Sequence, residues 1–221
     1  MDTSPSTTDT AHGLLADRFA PHPDFAQIRH SVVDAEAGAT YAAARHIDFA
    51  EVHGMLVDAA LWARDLPRRM RNKRSGNGEP GGFPGTPVVT EPSGRPRLRF
   101  DDMVAGSDWV MLGERPGEEI AAGAVGRFWT PVIEWRAVSV DEFAAFTEPG
   151  YGKIVMSLSV RPYGASRSLL SDDIRVVFHD SASRSRFRLY WALVSPFVKL
   201  IQDATLRDIT RQAQRFPVGS S

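Results

Sequence analysis

The sequence predicts an α+β fold in which a curved antiparallel sheet wraps around one long carboxy-terminal helix. Three observations predict it. The stretch Arg184 to Arg215 contains no glycine and a single proline, Pro196, and its apolar residues recur at helical spacing: Phe187, Tyr190, Trp191, Val194, Phe197, Val198, Ile201, Leu206 and Ile209. The middle of the chain instead alternates with a period near two and is cut by turn residues. A run of strands followed by a helix implies an antiparallel sheet with helices on one side. That architecture usually encloses a cavity.

Taken in order, residues 1–12 are polar and rich in Ser and Thr, the composition of a disordered tail. Leu14 to Phe19 suits a short helix ended by Pro21 and Pro23, and Phe25 to Val33 suits a first strand. Asp34 to Ala44 favours a helix with Asp34 as its cap, because a carboxylate accepts from the free amides of a first turn. A second helix is expected from Asp48, with Val52, Met55, Leu56, Ala59, Ala60 and Trp62 as its apolar stripe and Pro67 at its end. Asn72 to Pro96 is dense in Gly, Pro and Ser and reads as a mobile loop at 72–96, either a lid or an insertion. Strands follow at Trp109 to Leu112, Glu119 to Trp129 and Ile133 to Val140, the first two joined at Arg115-Pro116-Gly117. Asp141 to Phe146 suits a short helix capped by Asp141, and Pro149-Gly150 a turn. Lys153 to Arg161 places Ile154, Met156, Leu158 and Val160 on one face. Tyr163-Gly164 turns the chain into Ser168 to Phe178, and the long helix starts near Ser181 or Ser183. Residues 13–216 thus form one domain, with a short tail at 217–221.

At 221 residues, 43% apolar and 24% charged, with a net charge of −1, the chain has an ordinary globular composition and no global field that argues for nucleic acid or an anionic membrane. There is no cysteine, which excludes disulfides, thiol catalysis and thiolate metal sites. The amino terminus lacks the basic start and apolar core of a signal peptide. No run reaches the ~18–20 apolar residues of a spanning helix. A cytoplasmic protein without stable membrane insertion is expected. Six histidines occur, none paired at i, i+4, so no metal is expected. There is no phosphate-binding glycine loop and no Gly-x-Ser-x-Gly elbow.

Several residues carry both a bland and a functional reading. Tyr190 and Trp191, with Phe187, Val194 and Phe197, are either core or the wall of a pocket, and a buried Tyr190 hydroxyl needs a partner that a ligand can supply. Arg127 and Trp129 are expected on one strand face and Phe128 on the other. Arg127 is either a structural ion pair, with Glu134 or Asp172 as partner, or a solvated side chain, or a guanidinium that orients a ligand carboxylate or enolate. His30 is either solvated or a general acid or base. Asp172 and Asp173 point to opposite faces, so at most one points inward. Pro196 removes a helix hydrogen bond and crowds the carbonyl of Ala192, which predicts a kink. The run Arg64 to Arg74 is a solvated helix end or a contact for an anionic surface.

Three segments, Gly123 to Trp129 (GAVGRFW), Phe143 to Lys153 (FAAFTEPGYGK) and Phe187 to Ile201 (FRLYWALVSPFVKLI), together with the element order, resemble the START and Bet v 1 superfamily. That superfamily is also called SRPBCC, or the polyketide cyclase/lipid transport superfamily, and the wording is similar to a bacterial group within it. The resemblance spans about residues 14–215. It implies the helix-grip fold, with an apolar cavity between sheet and terminal helix. Its members bind lipids, sterols, polyketides or plant hormones, and some catalyse cyclisation or hydrolysis. It transfers no catalytic residue.

The expected function is therefore binding of a small hydrophobic molecule, lipid or polyketide-like, without a cofactor. The cavity residues are Arg127, Trp129, Glu134, Met156, Leu158, Phe187, Tyr190, Trp191, Val194 and Phe197. The alternatives are a cyclase, dehydratase or hydrolase in the same cavity, with His30, Tyr190 or Glu134 as acid or base, or an interaction domain with a filled core.

Overall fold

The computed structural model describes residues 13–49, 89–90, 96–97, 99–105, 108–130 and 132–215. In chain order these form α1 (Leu15–Phe19), β1 (Phe25–Val33), α2 (Ala37–Arg45), β2 (Val89–Thr90), β3 (Pro96–Arg97), α3 (Phe100–Ala105), β4 (Trp109–Arg115), β5 (Glu119–Gly126), β6 (Trp135–Arg136), α4 (Val140–Ala145), β7 (Gly152–Pro162), β8 (Ser168–Phe178) and α5 (Ser181–Arg215). The main sheet runs β1-β8-β7-β5-β4 with β6 added on β5, and every pairing is antiparallel. With α5 laid across one face, this is the helix-grip α+β fold.

The strands Phe25–Val33 and Ser168–Phe178 lie where their alternation placed them. Gly117 and Gly164 sit at φ 87° and 77°, in the left-handed region that side chains avoid, which is why the two hairpins turn there. Other expectations are corrected. The cap of α2 is Glu36, not Asp34, and no side chain bonds its amides. The cap of α4 is Ser139, not Asp141: Ser139 Oγ accepts from the Glu142 amide while Glu142 Oε2 accepts from the Ser139 amide at 2.7 Å. That reciprocal box starts a helix where a strand to Val140 was expected, so β6 keeps only Trp135–Arg136. Strand β5 stops at Gly126 rather than Trp129, because Thr130 Oγ1 donates to the Arg127 carbonyl at 2.7 Å and folds the chain into a turn. The start of α5 is tied by Asp180, whose Oδ1 accepts from the Ser183 amide at 2.7 Å and Oδ2 from the Gly150 amide at 2.8 Å. These backbone bonds hold its carboxyl below the ordinary aspartate range. Helix α3 was not expected, and β2 pairs with β3 at the end of the stretch read as loop, Arg97 lying just past it. The remainder of 72–96, the second helix beyond Phe49, the basic run and both tails lie outside the described residues.

Direct partners across an antiparallel ladder share a face. The pairings Leu158↔Asp172, Met156↔Ile174, Ile154↔Val176 and Ala122↔Met156 therefore put the even-numbered residues of β5, β7 and β8 on the α5 side, with Phe25, Gln27, Arg29, Ser31 and Val33 of β1. The opposite face is covered by α1 and α4 through Ala16, Phe19, Ala121, Phe143 and Val155. Strand β5 is consequently buried on both faces. A bulge at Leu112 shifts β4 by one residue, so that Glu114 rather than Gly113 faces α5.

At one end of the helix face the fit is tight. A Cβ on Gly152 would stand 2.6 Å from Phe178 Cε1 and 3.0 Å from Phe128 Cζ. Gly152→Ala is expected to lower stability by about 1–3 kcal/mol, read by urea denaturation; an unchanged midpoint would contradict this packing.

Candidate functional site

The space between the helix face of the sheet and α5 divides into three parts. At the amino-terminal end of α5 the aromatic residues meet one another. Phe187 lies 4.9 Å from Phe25, 5.0 Å from Phe178, 5.5 Å from Phe128, 5.6 Å from Tyr190 and 5.7 Å from Trp191, ring centre to ring centre. Trp129 joins them at 4.9 Å from Phe178. At the far end Leu206, Ile209 and Ala213 pack with Val33, Tyr41, Val160 and Leu170 into a closed core. There Tyr41 donates to Glu114 at 2.6 Å, and burial first, then that bond, raises its hydroxyl pKa.

Between these ends lies a third region. Ile154 and Met156 on the middle strand β7 and Ile174 on β8 stand on the face of the sheet that α5 shares, yet remain only half-buried. Trp109 and Met111 of β4 are half-buried beside them. Across the sheet neighbouring positions such as Ile120, Leu158 and Leu170 are fully buried. The small side chains of Ala122 and Ala124 on β5 keep this floor low.

A buried carboxyl stands on the helix face of the sheet. Asp172 is buried, and its Oδ1 accepts from Gln202 Nε2 at 3.1 Å. The same amide nitrogen donates to the Gln27 and Asp172 carbonyls at 3.1 and 3.2 Å, tying α5 to β1 and β8. Burial pushes the Asp172 carboxyl up to about 7; the Gln202 bond pulls against this and the charge of Asp173 adds to it. Arg29, the ladder partner of Asp172, turns to Asp203 of α5 at 2.8 Å instead. Asp173 is buried as well but on the opposite face, where it pairs with Arg175. The two aspartates thus point apart, as alternation requires, and only Asp172 faces the helix.

The structure brings Trp129, Phe187, Tyr190 and Trp191 together in the aromatic cluster. Met156 and Leu158 lie on the helix face, Met156 half-buried and Leu158 fully covered. On α5, Val194 is buried and Phe197 half-buried. Arg127 and Glu134 do not join them. Arg127 Nη1 pairs with Glu134 at 3.1 Å, with 38% and 56% of the two side chains exposed. Its Nε donates to the Gly150 carbonyl and its guanidinium lies 4.5 Å from the Tyr151 ring centre. The bland reading, a structural ion pair, is the one observed. The reason is that β5 ends at Gly126. Alternation no longer governs Phe128 and Trp129, which both enter the aromatic cluster and leave Arg127 outside it. His30 is exposed on the opposite face, in contact with Ser171 at 2.8 Å.

Gln202, Arg29 and Asp203 were not anticipated. For Gln202 a signal existed: it is polar within the apolar stripe of α5, between Ile201 and Leu206. Among the described residues no group of histidines and carboxylates is arranged to hold a metal ion. No described helix is long and apolar enough to cross a membrane.

No family model matches the chain, and no curated protein does. Solved structures similar to it include the di-domain ARO/CYC BexL from the BE-7585A biosynthetic pathway, at 13% identity and a TM-score of 0.35 over 89% of this chain. The chain spans 52% of that protein's length. Zhui aromatase/cyclase from Streptomyces sp. R1128 is similar at 13% identity and a TM-score of 0.33, over 87% of this chain and 94% of that one. Norcoclaurine synthase from Thalictrum flavum, in complex with dopamine and hydroxybenzaldehyde, is similar at 12% identity and a TM-score of 0.35, over 99% of this chain and all of that one. At such identities no site residue transfers from one chain to another.

Proposed function

We propose that the chain binds a small hydrophobic molecule between the sheet and α5. The observation that carries this reading is the half-buried state of Ile154, Met156 and Ile174. In a filled core, apolar positions on the inner strands close completely; apolar surface left there favours a guest that covers it, at about 25 cal/mol per Å². The wall of the site comprises Trp129, Met156, Phe187, Tyr190, Trp191, Val194 and Phe197, with Leu158 beneath. Asp172 and the Tyr190 hydroxyl, rather than Arg127 and Glu134, supply orientation.

Native mass spectrometry on protein purified gently from its own host tests this. The expected result is an adduct, released on denaturation, that disappears in Met156→Trp while that variant keeps its melting temperature. A clean apo mass together with a strongly destabilised Met156→Trp indicates a filled core and sinks the proposal. Trp191→Ala is expected to weaken binding of the released molecule about tenfold while leaving most of the fold; unchanged affinity in the folded variant counts against this wall.

One observation favours a second reading, an enzyme in the same site. A buried carboxyl that titrates near neutrality suits general acid or base work. In that case Asp172→Asn retains ligand affinity and loses turnover.

A further inference from the structure

The first half of α5 is apolar on two sides. One side is the buried stripe of Phe187 and Val194. The other is formed by Leu189, Leu193, Pro196 and Leu200, spaced i, i+4, i+7 and i+11, about 140° round the helix from the first at ~100° per residue. All four are exposed, Leu189 at 80%, Leu193 at 40% and Leu200 at 47%. A helix that needs one apolar face to join its sheet has no folding use for a second. From Ser181 to Gln202 the helix carries Arg184, Arg186, Arg188 and Lys199 and no acidic residue. Arg184 pairs with Asp24. Arg186, Arg188 and Lys199 are exposed and make no ion pair among the described residues.

We infer that this outward face of α5 docks on an anionic lipid surface, with the leucine stripe in the headgroup boundary and Arg186, Arg188 and Lys199 on the phosphates. Charge selects this occupant. A second copy packed on the same stripe would bring six unpaired cations together. The stripe is a convex ridge on the side of α5 away from the sheet, so it suits a deformable surface better than a partner that must supply its own groove. The helix does not span a bilayer; the attachment is peripheral, by buried apolar area plus attraction to anionic lipid. The inference is independent of whether a ligand occupies the inner face.

Vesicle co-sedimentation of the full chain tests it, with phosphatidylglycerol/phosphatidylcholine vesicles against pure phosphatidylcholine. The intact protein is expected to sediment with the anionic vesicles and to be released by salt. Leu189→Glu/Leu193→Glu should lower partitioning at least about tenfold, and Arg186→Gln/Arg188→Gln by about fivefold for each charge removed. These positions are exposed, so the variants should match the parent in circular dichroism. If the glutamates disturb folding, Leu189→Ser/Leu193→Ser serves instead. Intact protein that stays in the supernatant at low salt overturns the inference, as does a folded stripe variant that sediments undiminished. A dimer in sedimentation velocity that the stripe variant abolishes also overturns it, in favour of self-association.

Discussion

Asp172→Asn is expected to stabilise the protein at pH 8 and to change little at about pH 4. Unfolded, the Asp172 carboxyl ionises near its ordinary 3.8; folded, it keeps its proton up to about 7. Between those values a rise in pH removes a proton from the unfolded chain alone, so wild-type stability falls across that window. The cost is absent below the unfolded value and fully present above the folded one. At about 1.4 kcal/mol per pH unit it amounts to roughly 4 kcal/mol. Asparagine keeps an oxygen that accepts from Gln202 and carries no charge. Urea denaturation at a series of pH values measures the difference. If the variant and the parent give parallel curves from about pH 4 to pH 8, Asp172 is not buried as described.

Phe187→Ala should be the most damaging single truncation on α5. Its ring touches aromatic neighbours on β1, β8, the turn after β5 and α5 itself, and 1% of the residue is exposed. Removing it leaves a void that rigid rings cannot close, at a cost of about 3–5 kcal/mol. Phe187→Leu, which keeps most of the volume, should cost under about 1.5 kcal/mol. Chemical denaturation gives both numbers. A small loss for alanine would mean that α5 is not pinned to the sheet at this cluster.

Period and turn chemistry make most of the fold legible in the sequence. The nine residues of β1 and the eleven of β8 lie where alternation puts them, and the proline-free, glycine-free run before and after Pro196 marks α5. Boundaries set by side-chain contests were not legible. Ser139 and Asp141 are both good caps by type, and only the reciprocal bond with Glu142 decides between them. Likewise Arg127 shared a strand face with Trp129 only as long as β5 was extended through Trp129. One turn hydrogen bond from Thr130 reverses that assignment.

On α5, residue type and helical spacing brought out the aromatic cluster, because large apolar side chains at i, i+3 and i+4 must share a helix face. Nothing in the sequence distinguishes Ile154, Met156 and Ile174, half-buried, from Leu158 and Leu170, fully buried: all five alternate in the same way on adjacent strands. Their difference depends on where α5 crosses the sheet. Likewise, the sequence shows that Asp172 and Asp173 part to opposite faces, but not that both are buried. The Asp172 carboxyl lies beneath Gln202, thirty positions further along the chain, and its proton affinity is set by that burial. The chain by itself determined the order, period and face of its elements, since these depend on local stereochemistry. The tertiary structure alone decided which faces are sealed, which stay open and which charges lose water, because those depend on packing between elements distant in sequence.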